Sequence, residues 1–236
     1  MKVRRLHAWD VDYAGALAVQ ERLRPRIIRR GRLPTVRLAA GADVSYEKRD
    51  NRFYAAVVVM SVPELEIVEE AWAAGVATFP YIPGLLTFRE GPVLVRAFER
   101  LRTRPDLVIF DGQGVAHPRG VGLAAHMGLL LEVPSIGCAK TRLCGEHGEV
   151  AGPAGSRTEL RLDGRTVGLV VRTRAGVKPV FVSVGHRISL GSAAEWVLRT
   201  CRGCRLPEPT RQAHLLVNRL RLGLASPHPG RPTNRR

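Results

Sequence analysis

Cysteine is scarce in this chain, and its spacing argues against a disulfide framework. Only four of the 236 residues are cysteine, whereas small secreted domains depend on dense, paired cysteines. Cys201 and Cys204 have the two-residue separation of zinc ligands, but Cys138 and Cys144 are too widely spaced to supply the second pair of a closed site. The pattern therefore favours thiols over disulfides or a structural zinc.

Long apolar runs are missing as well. The leucines at 129–131 are followed at once by Glu132, and no run approaches the length of about 20 residues that a membrane helix needs. The first residues are basic but lead into His7 and Asp10 rather than into the apolar core of a signal peptide. We therefore expect an intracellular, cytoplasmic protein without membrane contact.

Acidic residues are outnumbered by basic ones. The chain has 37 Lys and Arg against 21 Asp and Glu, a formal charge of +16 and a sequence pI near 11.1. The basic residues are densest at 29–32, 96–104 and 199–221. Such a surplus can simply keep a protein soluble, or it can bind a polyanion. A pI this high favours nucleic acid as the partner.

The length suits one domain with a full hydrophobic core and is short for two. Hydrophobic residues make up 45% of the chain, an ordinary globular share. The end of the chain is different, because 226–236 holds three prolines, three arginines and no large apolar residue. We predict a single domain over 1–224, in a monomer, and a disordered basic tail over 225–236.

Periodicity and turn signals predict alternating strands and helices. A helix is expected over 10–30, another opening at Gly91 and Pro92, and others over 120–132, 192–202 and 210–222. Strands are expected over 36–46, 52–61, 65–76, 106–111, 133–139, 157–174 and 178–189, with Asp163 and Gly164 forming a hairpin turn in the sixth. The first three strands have short connections, which favour antiparallel pairing, whereas 106–139 alternates strand and helix as parallel strands do. We predict an α/β fold with a ribonuclease H-like mixed sheet, an antiparallel three-strand meander followed by parallel strands, flanked by helices.

Three acidic residues stand where a strand is expected to end or a turn to begin. Asp43 lies near the end of the first strand, Asp111 follows the apolar run 107–110, and Glu90 closes a loop rich in proline and glycine. Each of them alone can be a turn former or a helix cap. Together they can converge at one edge of a sheet, where carboxylate oxygens hold hard cations such as Mg²⁺. An acidic metal site in a basic protein indicates chemistry on a phosphate backbone.

The sequence resembles the endonuclease V family, the deoxyinosine 3′-endonucleases. The motifs that carry the resemblance are GADVSY at 41–46, PYIPGLL at 80–86 with FRE at 88–90, DGQG at 111–114 with HPR at 117–119, Pro134 with KTRL at 140–143, VGH at 184–186 with SL at 189–190, and LPEPTR at 206–211. They spread over residues 10–222, and the segment from PYIPGLL to FRE is the most specific. Gln113 stands at a position that varies in that family, and the sequence assigns it no role.

The resemblance implies a metal-dependent catalytic centre. Asp43, Glu90 and Asp111 would be catalytic metal carboxylates. His214 would be a fourth metal residue, because it matches a position near the metal, although a packed helix-face histidine fits equally well. Lys140 would be the catalytic lysine that stabilises the phosphorane charge or orients the attacking water. The implied cofactor is Mg²⁺, which Mn²⁺ can replace.

The resemblance also implies a pocket for an extruded base. Tyr81 is flanked by Pro80 and Pro83, which stiffen its loop, so its ring can fill the gap that the departed base leaves in the stack. Gly84, Leu86 and Gly112 match positions expected to line the pocket. His117 is expected to contact the nucleic acid, assist proton movement or order its own loop.

The function implied by the resemblance is DNA repair. The family hydrolyses the second phosphodiester bond 3′ to deoxyinosine, which is deaminated adenine, and leaves 3′-hydroxyl and 5′-phosphate ends. Two alternatives stay open from the sequence. One is cleavage of inosine-containing RNA, and the other is a nucleic-acid-binding protein that lacks catalysis.

Overall fold

The structure is a computed structural model that describes residues 1–47 and 49–224. Its strands are β1 (Leu38–Tyr46), β2 (Arg52–Ser61), β3 (Ile67–Val76), β4 (Leu107–Phe110), β5 (Ser135–Ala139), β6 (Arg157–Leu162), β7 (Arg165–Val171) and β8 (Val180–His186). Its α-helices are α1 (Tyr13–Leu23), α2 (Leu86–Glu99), α3 (Leu123–Leu131), α4 (Leu190–Arg199) and α5 (Glu208–Arg221). The predicted tail at 225–236 lies outside the described residues. Among those residues, every helix is too short or too polar to cross a lipid bilayer.

All eight strands form one mixed sheet in the order β3-β2-β1-β4-β5-β8-β7-β6. The strands β1, β2 and β3 pair antiparallel, and β4 pairs parallel with both β1 and β5. The last three strands return antiparallel beside β5. The fold is the predicted ribonuclease H-like mixed sheet, a meander followed by parallel strands and flanked by helices.

Helices cover both faces of the sheet. On one face, α2 and α3 pack against alternate residues of β1 and β4, with Ala40, Ala42, Val108 and Phe110 in the same apolar cluster. On the other face, α5 packs on β1 and β2 through the cluster that holds Ala213 and Val217, and α4 packs on β7 and β8. Because side chains alternate along a strand, Asp43 and Asp111 point away from the face that α2 and α3 cover.

The predicted first helix is too long. It was expected to continue to residue 30, but α1 ends at Leu23 and a single 3₁₀ turn over Arg24–Arg26 follows. Pro25 is the cause, because its ring disfavours helical backbone at the preceding residue and it has no N–H to donate. The hairpin turn is confirmed: Asp163 and Gly164 both have positive φ, at 50° and 74°, as the tight turn between β6 and β7 requires.

The prediction that a helix opens at Gly91 and Pro92 is wrong. The helix α2 begins at Leu86, so Pro92 lies inside it rather than in its first turn, where proline is favoured. Thr87 and Phe88 are buried, so the first turn of α2 is stabilised by packing despite the missing proline N–H. The consequence for the site is that Glu90 stands on a helix and not in a loop.

Candidate active site

Asp43 and Asp111 lie side by side at the carboxyl end of the parallel pair β1 and β4, where β1 continues beyond the last residue of β4. The last residue pair between these parallel strands is Ala42 with Phe110, and the next residues along each chain are Asp43 and Asp111. The Asp111 amide donates to the Ala42 carbonyl oxygen at 3.1 Å, which extends the strand pairing to the two acids. Ligand atoms of Asp43, Asp111 and His214 all lie within 4.8 Å of one another.

His214 reaches this edge because α5 packs very closely on β1. A Cβ atom on Gly41 would lie 2.0 Å from the carbonyl carbon of Pro209, so only glycine permits the contact. The contact places the imidazole Nδ1 of His214 2.7 Å from Oδ2 of Asp43. The sheet and α5 therefore supply the site from elements that are far apart in sequence.

The hydrogen bonds of His214 define its tautomer. The side-chain amide of Asn218 donates to Nε2 at 3.1 Å, so the ring proton lies on Nδ1 and is donated to Asp43. In this arrangement His214 orients the Asp43 carboxylate, as outer-shell histidines and carboxylates do for each other at metal sites. The sequence did not predict Asn218, which also donates to the carbonyl oxygen of His214 at 2.9 Å.

Glu90 approaches the two aspartates from α2. Burial, followed by the charges of Asp43 and Asp111, raises the pKa of the Glu90 carboxyl from 4.5 to about 8. A carboxyl so shifted is protonated at neutral pH unless a cation joins the three acids. The charges of Asp43 and Asp111 thus act on Glu90, which comes from a helix rather than from the loop that the sequence suggested, but Glu90 is not among the residues whose ligand atoms lie within 4.8 Å of one another.

Lys140 follows β5 and forms an ion pair with Oδ2 of Asp111. Burial and the charge of Asp43 raise the pKa of Asp111, and the Lys140 ammonium opposes that rise. The carbonyl oxygen of Lys140 accepts from the Arg205 guanidinium at 2.5 Å, which anchors the backbone at this point. The residue predicted as the catalytic lysine therefore lies beside the acidic cluster, with its head group half-buried.

These residues fit a divalent cation. Hard cations prefer carboxylate oxygens, and Lys140 is one positive charge beside the three acids Asp43, Glu90 and Asp111. Burial is the larger cause of the raised pKa values of Glu90 and Asp111, and a dication would offset the repulsion between the carboxylates that adds to it. The donor set does not identify the ion, because carboxylate oxygen suits Mg²⁺ and Mn²⁺ alike.

The raised pKa of Glu90 predicts a pH dependence of stability. Between about pH 4.5 and pH 8 the folded metal-free protein keeps a proton on Glu90 that the unfolded chain releases, so its free energy of unfolding should fall as the pH rises through this window. The limiting slope for one proton is about 1.4 kcal/mol per pH unit. Urea denaturation in EDTA at pH 6, 7 and 8 measures it. The slope should be shallower in Glu90→Gln, and an equal slope in both proteins would contradict the assignment.

A cavity of about 110 Å³ is lined by Gln113, two residues after Asp111 in the chain, and by Thr87, three residues before Glu90. Tyr81, Pro83, Gly84, Leu86 and His117, all predicted to bind substrate, line it. The sequence did not single out the remaining lining residues, which are Ile82, Thr87, Gln113, Gly122, Leu123 and Leu143. Gly112, the sixth predicted residue, is not in the lining. A Cβ atom there would lie 3.2 Å from the Leu123 side chain, so Gly112 backs one wall of the cavity.

The carbonyl oxygen of Gly84 is the most heavily hydrogen-bonded atom of the cavity wall. It accepts from Gln20 Nε2 at 2.9 Å, from His117 Nε2 at 2.9 Å and from Arg119 Nη2 at 2.8 Å. Gln20 also donates to Val121 and accepts from Arg119. Gly84 has a φ of +80°, and a Cβ atom there would lie 2.7 Å from the Arg119 guanidinium. The network fixes the loop that carries Tyr81. The role of Gln20 could not be predicted from the sequence, because Gln20 lies on α1, far from this loop along the chain.

His117 belongs to this network rather than to the exposed surface. Its side chain is buried, its Nδ1 accepts from the Arg119 amide at 3.1 Å and its Nε2 donates to Gly84. Burial lowers the pKa of His117 to about 4, so the ring is neutral at physiological pH. Of the three roles considered from the sequence, this geometry favours the ordering of the loop.

Tyr81 is at the mouth of the cavity. Its side chain is 70% exposed although it is aromatic, and Pro83 beside it is also exposed. An exposed ring on a loop that Gln20, His117 and Arg119 anchor is available for stacking. The structure thus brings together the aromatic ring and the cavity.

A ribonuclease H-like sheet that carries clustered carboxylates at one edge defines a class of nucleases that use divalent metal ions. The particular family is endonuclease V, to which this chain belongs, because the family model matches residues 21–215. An endonuclease V of Gloeobacter violaceus is 50% identical over 219 residues, which cover 92% of this chain and 89% of that protein. The chain is therefore a nuclease.

Solved structures agree with this assignment. The crystal structure of an endonuclease V from Streptomyces avermitilis has a TM-score of 0.88 at 41% identity and covers 95% of this chain and 100% of that chain. An endonuclease V of Ciona intestinalis, solved in complex with a 24mer DNA containing an inosine followed by a ribo-adenosine, has a TM-score of 0.78 at 26% identity. That match covers 90% of this chain and 98% of the Ciona chain.

Proposed function

We propose that this chain is a DNA repair endonuclease that recognises deoxyinosine. In this proposal it hydrolyses the second phosphodiester bond 3′ to the lesion with Mg²⁺, and it leaves 3′-hydroxyl and 5′-phosphate ends. The observation that carries the proposal is the neighbourhood of two features, an acidic cluster around Asp43 and Asp111 and a cavity with Tyr81 at its mouth. The first would hold a phosphate through a divalent ion, and the second suits an extruded base.

The acidic cluster has the chemistry for phosphodiester hydrolysis. A divalent ion bound there would lower the pKa of a water, polarise the phosphate and neutralise the leaving oxygen. Asp43, Glu90 and Asp111 would hold that ion, and the His214 N–H keeps the Asp43 carboxylate oriented. The ammonium of Lys140, next to Asp111, is placed to stabilise negative charge on a phosphate bound at the cluster.

Unpaired arginines beside Gly120 support a polyanionic substrate. Within the described ranges, the guanidinium groups of Arg24 and Arg29 make no hydrogen bond or ion pair, and each comes within 3.6 Å of the Cβ position at Gly120. Burial lowers the pKa of Arg29, and the like charge of Arg24 lowers it further. A bound phosphate would neutralise the like charges of Arg24 and Arg29, because arginine pairs bidentately with phosphate.

Tyr81→Ala should reduce lesion selectivity without damaging the metal centre. Stacking of a base on an aromatic side chain contributes about 1–3 kcal/mol, so the preference for inosine over adenosine should fall by about 5- to 150-fold. The preference is measured as the ratio of kcat/KM values on matched duplexes, with Tyr13→Ala, another exposed tyrosine, as the control. An unchanged ratio in Tyr81→Ala would show that the Tyr81 ring does not fill the gap left by the extruded base. Mg²⁺ binding should be the same in the wild-type protein and in both variants.

The proposed function is tested by nicking of a duplex that carries one inosine. Wild-type protein should nick this duplex in Mg²⁺, leave the matched adenosine duplex largely intact and stop in EDTA. Equal nicking of both duplexes would remove inosine recognition from the proposal. Nicking that persists in EDTA would remove the metal-dependent mechanism.

Cleavage of inosine-containing RNA is a second candidate. The Ciona relative was solved with a strand in which a ribo-adenosine follows the inosine, so that family member accommodates a ribose next to the lesion. Recognition of a 2′-hydroxyl depends on local contacts. Matched DNA and RNA oligonucleotides, cut side by side, decide between the substrates: a higher kcat/KM on DNA supports repair, and a higher value on RNA supports the alternative.

A further inference from the structure

Lys140 lies just beyond the paired part of its strand. The strand β5 ends at Ala139, its last pair with β4 involves Gly137, and its last pair with β8 involves Ala139. The described strand pairs therefore do not include Lys140. A lysine side chain also carries its ammonium on a flexible four-carbon stem. The position of this ammonium beside Asp111 thus depends on contacts other than the strand pairing.

One such contact comes from Arg205, in the loop between α4 and α5. Its Nη2 donates to the carbonyl oxygen of Lys140 at 2.5 Å and to the carbonyl oxygen of Pro179 at 2.9 Å. Pro179 immediately precedes β8, the strand that pairs with β5. The guanidinium therefore ties the end of β5 to the start of β8, at the point where the pairing of these two strands stops.

Arg205 is itself anchored at its backbone. The hydroxyl of Thr173, a buried residue that follows β7, donates to the carbonyl oxygen of Arg205 at 2.7 Å. The guanidinium is planar and holds its N–H donors in a fixed geometry. Anchoring at the backbone and at the guanidinium together leaves the donor to Lys140 little freedom to move.

One donor of this arginine has no partner. The Nε of Arg205 is buried and makes no hydrogen bond within the described part of the chain. An unsatisfied buried donor costs stability, and such groups call for an explanation. Stability alone therefore does not account for an arginine at this position, whereas its contact with Lys140 connects it to the acidic cluster.

We propose that Arg205 is a positioning residue for Lys140. This inference rests on the proposed function, in which the Lys140 ammonium stabilises negative charge on the phosphate. Arg205 acts without touching the substrate, because it fixes the backbone from which the Lys140 side chain extends and so keeps the ammonium beside Asp111. Electrostatic catalysis depends on such preorganisation, and a misplacement of about 1 Å can lower a rate by about 100-fold.

The test is a double-mutant cycle with Lys140→Met, read as kcat at saturating inosine duplex and saturating Mg²⁺. Arg205→Met removes the guanidinium donors and should lower kcat by about 10- to 100-fold when Lys140 is present. In the Lys140→Met background no ammonium remains to be positioned, so the further loss should be below about 3-fold. The Kd of the inosine duplex, measured in EDTA, should change little, because Arg205 does not bind the substrate.

Arg172→Met is the matched control. Arg172 likewise donates to backbone carbonyl oxygens, those of Val150, Ala151 and Val177, so its loss removes the same charge and the same kind of contact. It should lower Tm and leave kcat near the wild-type value. If Arg205→Met lowers Tm below the assay temperature, Arg205→Lys replaces it. Arg205→Lys keeps a cationic donor and should show a smaller loss with the same dependence on Lys140.

Equal losses in both backgrounds would overturn the inference, because they would indicate that Arg205 acts on the fold and not through Lys140. An unchanged kcat would overturn it as well, whether or not the Kd rises; a raised Kd would assign Arg205 to substrate binding. If the wild-type protein does not nick the inosine duplex, the proposed function itself fails. If it does, and Lys140→Met loses activity without coupling to Arg205→Met, only the role of Arg205 fails.

Discussion

Asp111→Asn is expected to lower the nicking rate by about a thousandfold or more, because a metal ion contributes several kcal/mol to phosphoryl transition states and each 1.4 kcal/mol is a tenfold change in rate. Asp111 sits one residue past the last pair of β1 and β4, within ligand distance of Asp43 and His214. Loss of its charge would weaken the attraction for a divalent ion and removes the ion-pair partner of Lys140. The measurement is single-turnover nicking of an inosine duplex in Mg²⁺.

Binding of the inosine duplex should survive this change. A carboxylate repels phosphate, so its neutralisation should leave the Kd equal or lower. Asp163→Asn, in the turn between β6 and β7, makes the same chemical change far from the cluster and tolerates positive φ. Wild-type nicking by Asp111→Asn would refute the metal assignment. Loss of both nicking and binding would instead indicate a folding defect, which Tm reports.

Lys140→Met is expected to lower kcat by about 100- to 1,000-fold, the range found when one electrostatic contact to a transition state is removed. The side chain keeps its length while the ammonium beside Asp111 is lost. The metal carboxylates remain, so some activity should persist, in contrast to Asp111→Asn. The measurement is kcat under saturating duplex and saturating Mg²⁺.

A second lysine, Lys178, provides the control for this experiment. Lys178 is exposed and lies before β8, so Lys178→Met removes the same charge without touching the cluster. It should nick at the wild-type rate. If Lys140→Met raises KM and leaves kcat unchanged, then Lys140 binds the substrate and the transition state equally well and does not stabilise the transition state specifically.

The sheet could be predicted because its information is local. The apolar run 107–110 and the Val-rich strand β2 can be recognised from their own residues. The turn at Asp163 and Gly164 depends only on the backbone preferences of these two residues. The start of α2 could not be predicted in the same way. Proline preference pointed to Pro92, whereas the burial of Phe88 against distant residues decides where the helix begins.

In the candidate site, too, some features follow from local sequence and others depend on contacts between distant segments. Asp43 lies near the end of β1, and Asp111 and Lys140 directly follow β4 and β5, so their convergence could be anticipated from topology. The contact of Gly41 with Pro209, which brings His214 to Asp43, depends on two segments far apart in the chain. Gln20 was not found from sequence, since it lies outside the motifs and its role appears only when its hydrogen bonds are traced.

The decisive measurement is the position of the cut relative to a single inosine, mapped to the nucleotide with both ends of the strand labelled. Asp43, Glu90 and Asp111 acting on a phosphate while the cavity holds the base predict one Mg²⁺-dependent nick at the second phosphodiester 3′ to inosine, with ends that a ligase can rejoin. Cuts scattered along the strand, or release of the base with the backbone intact, would contradict it.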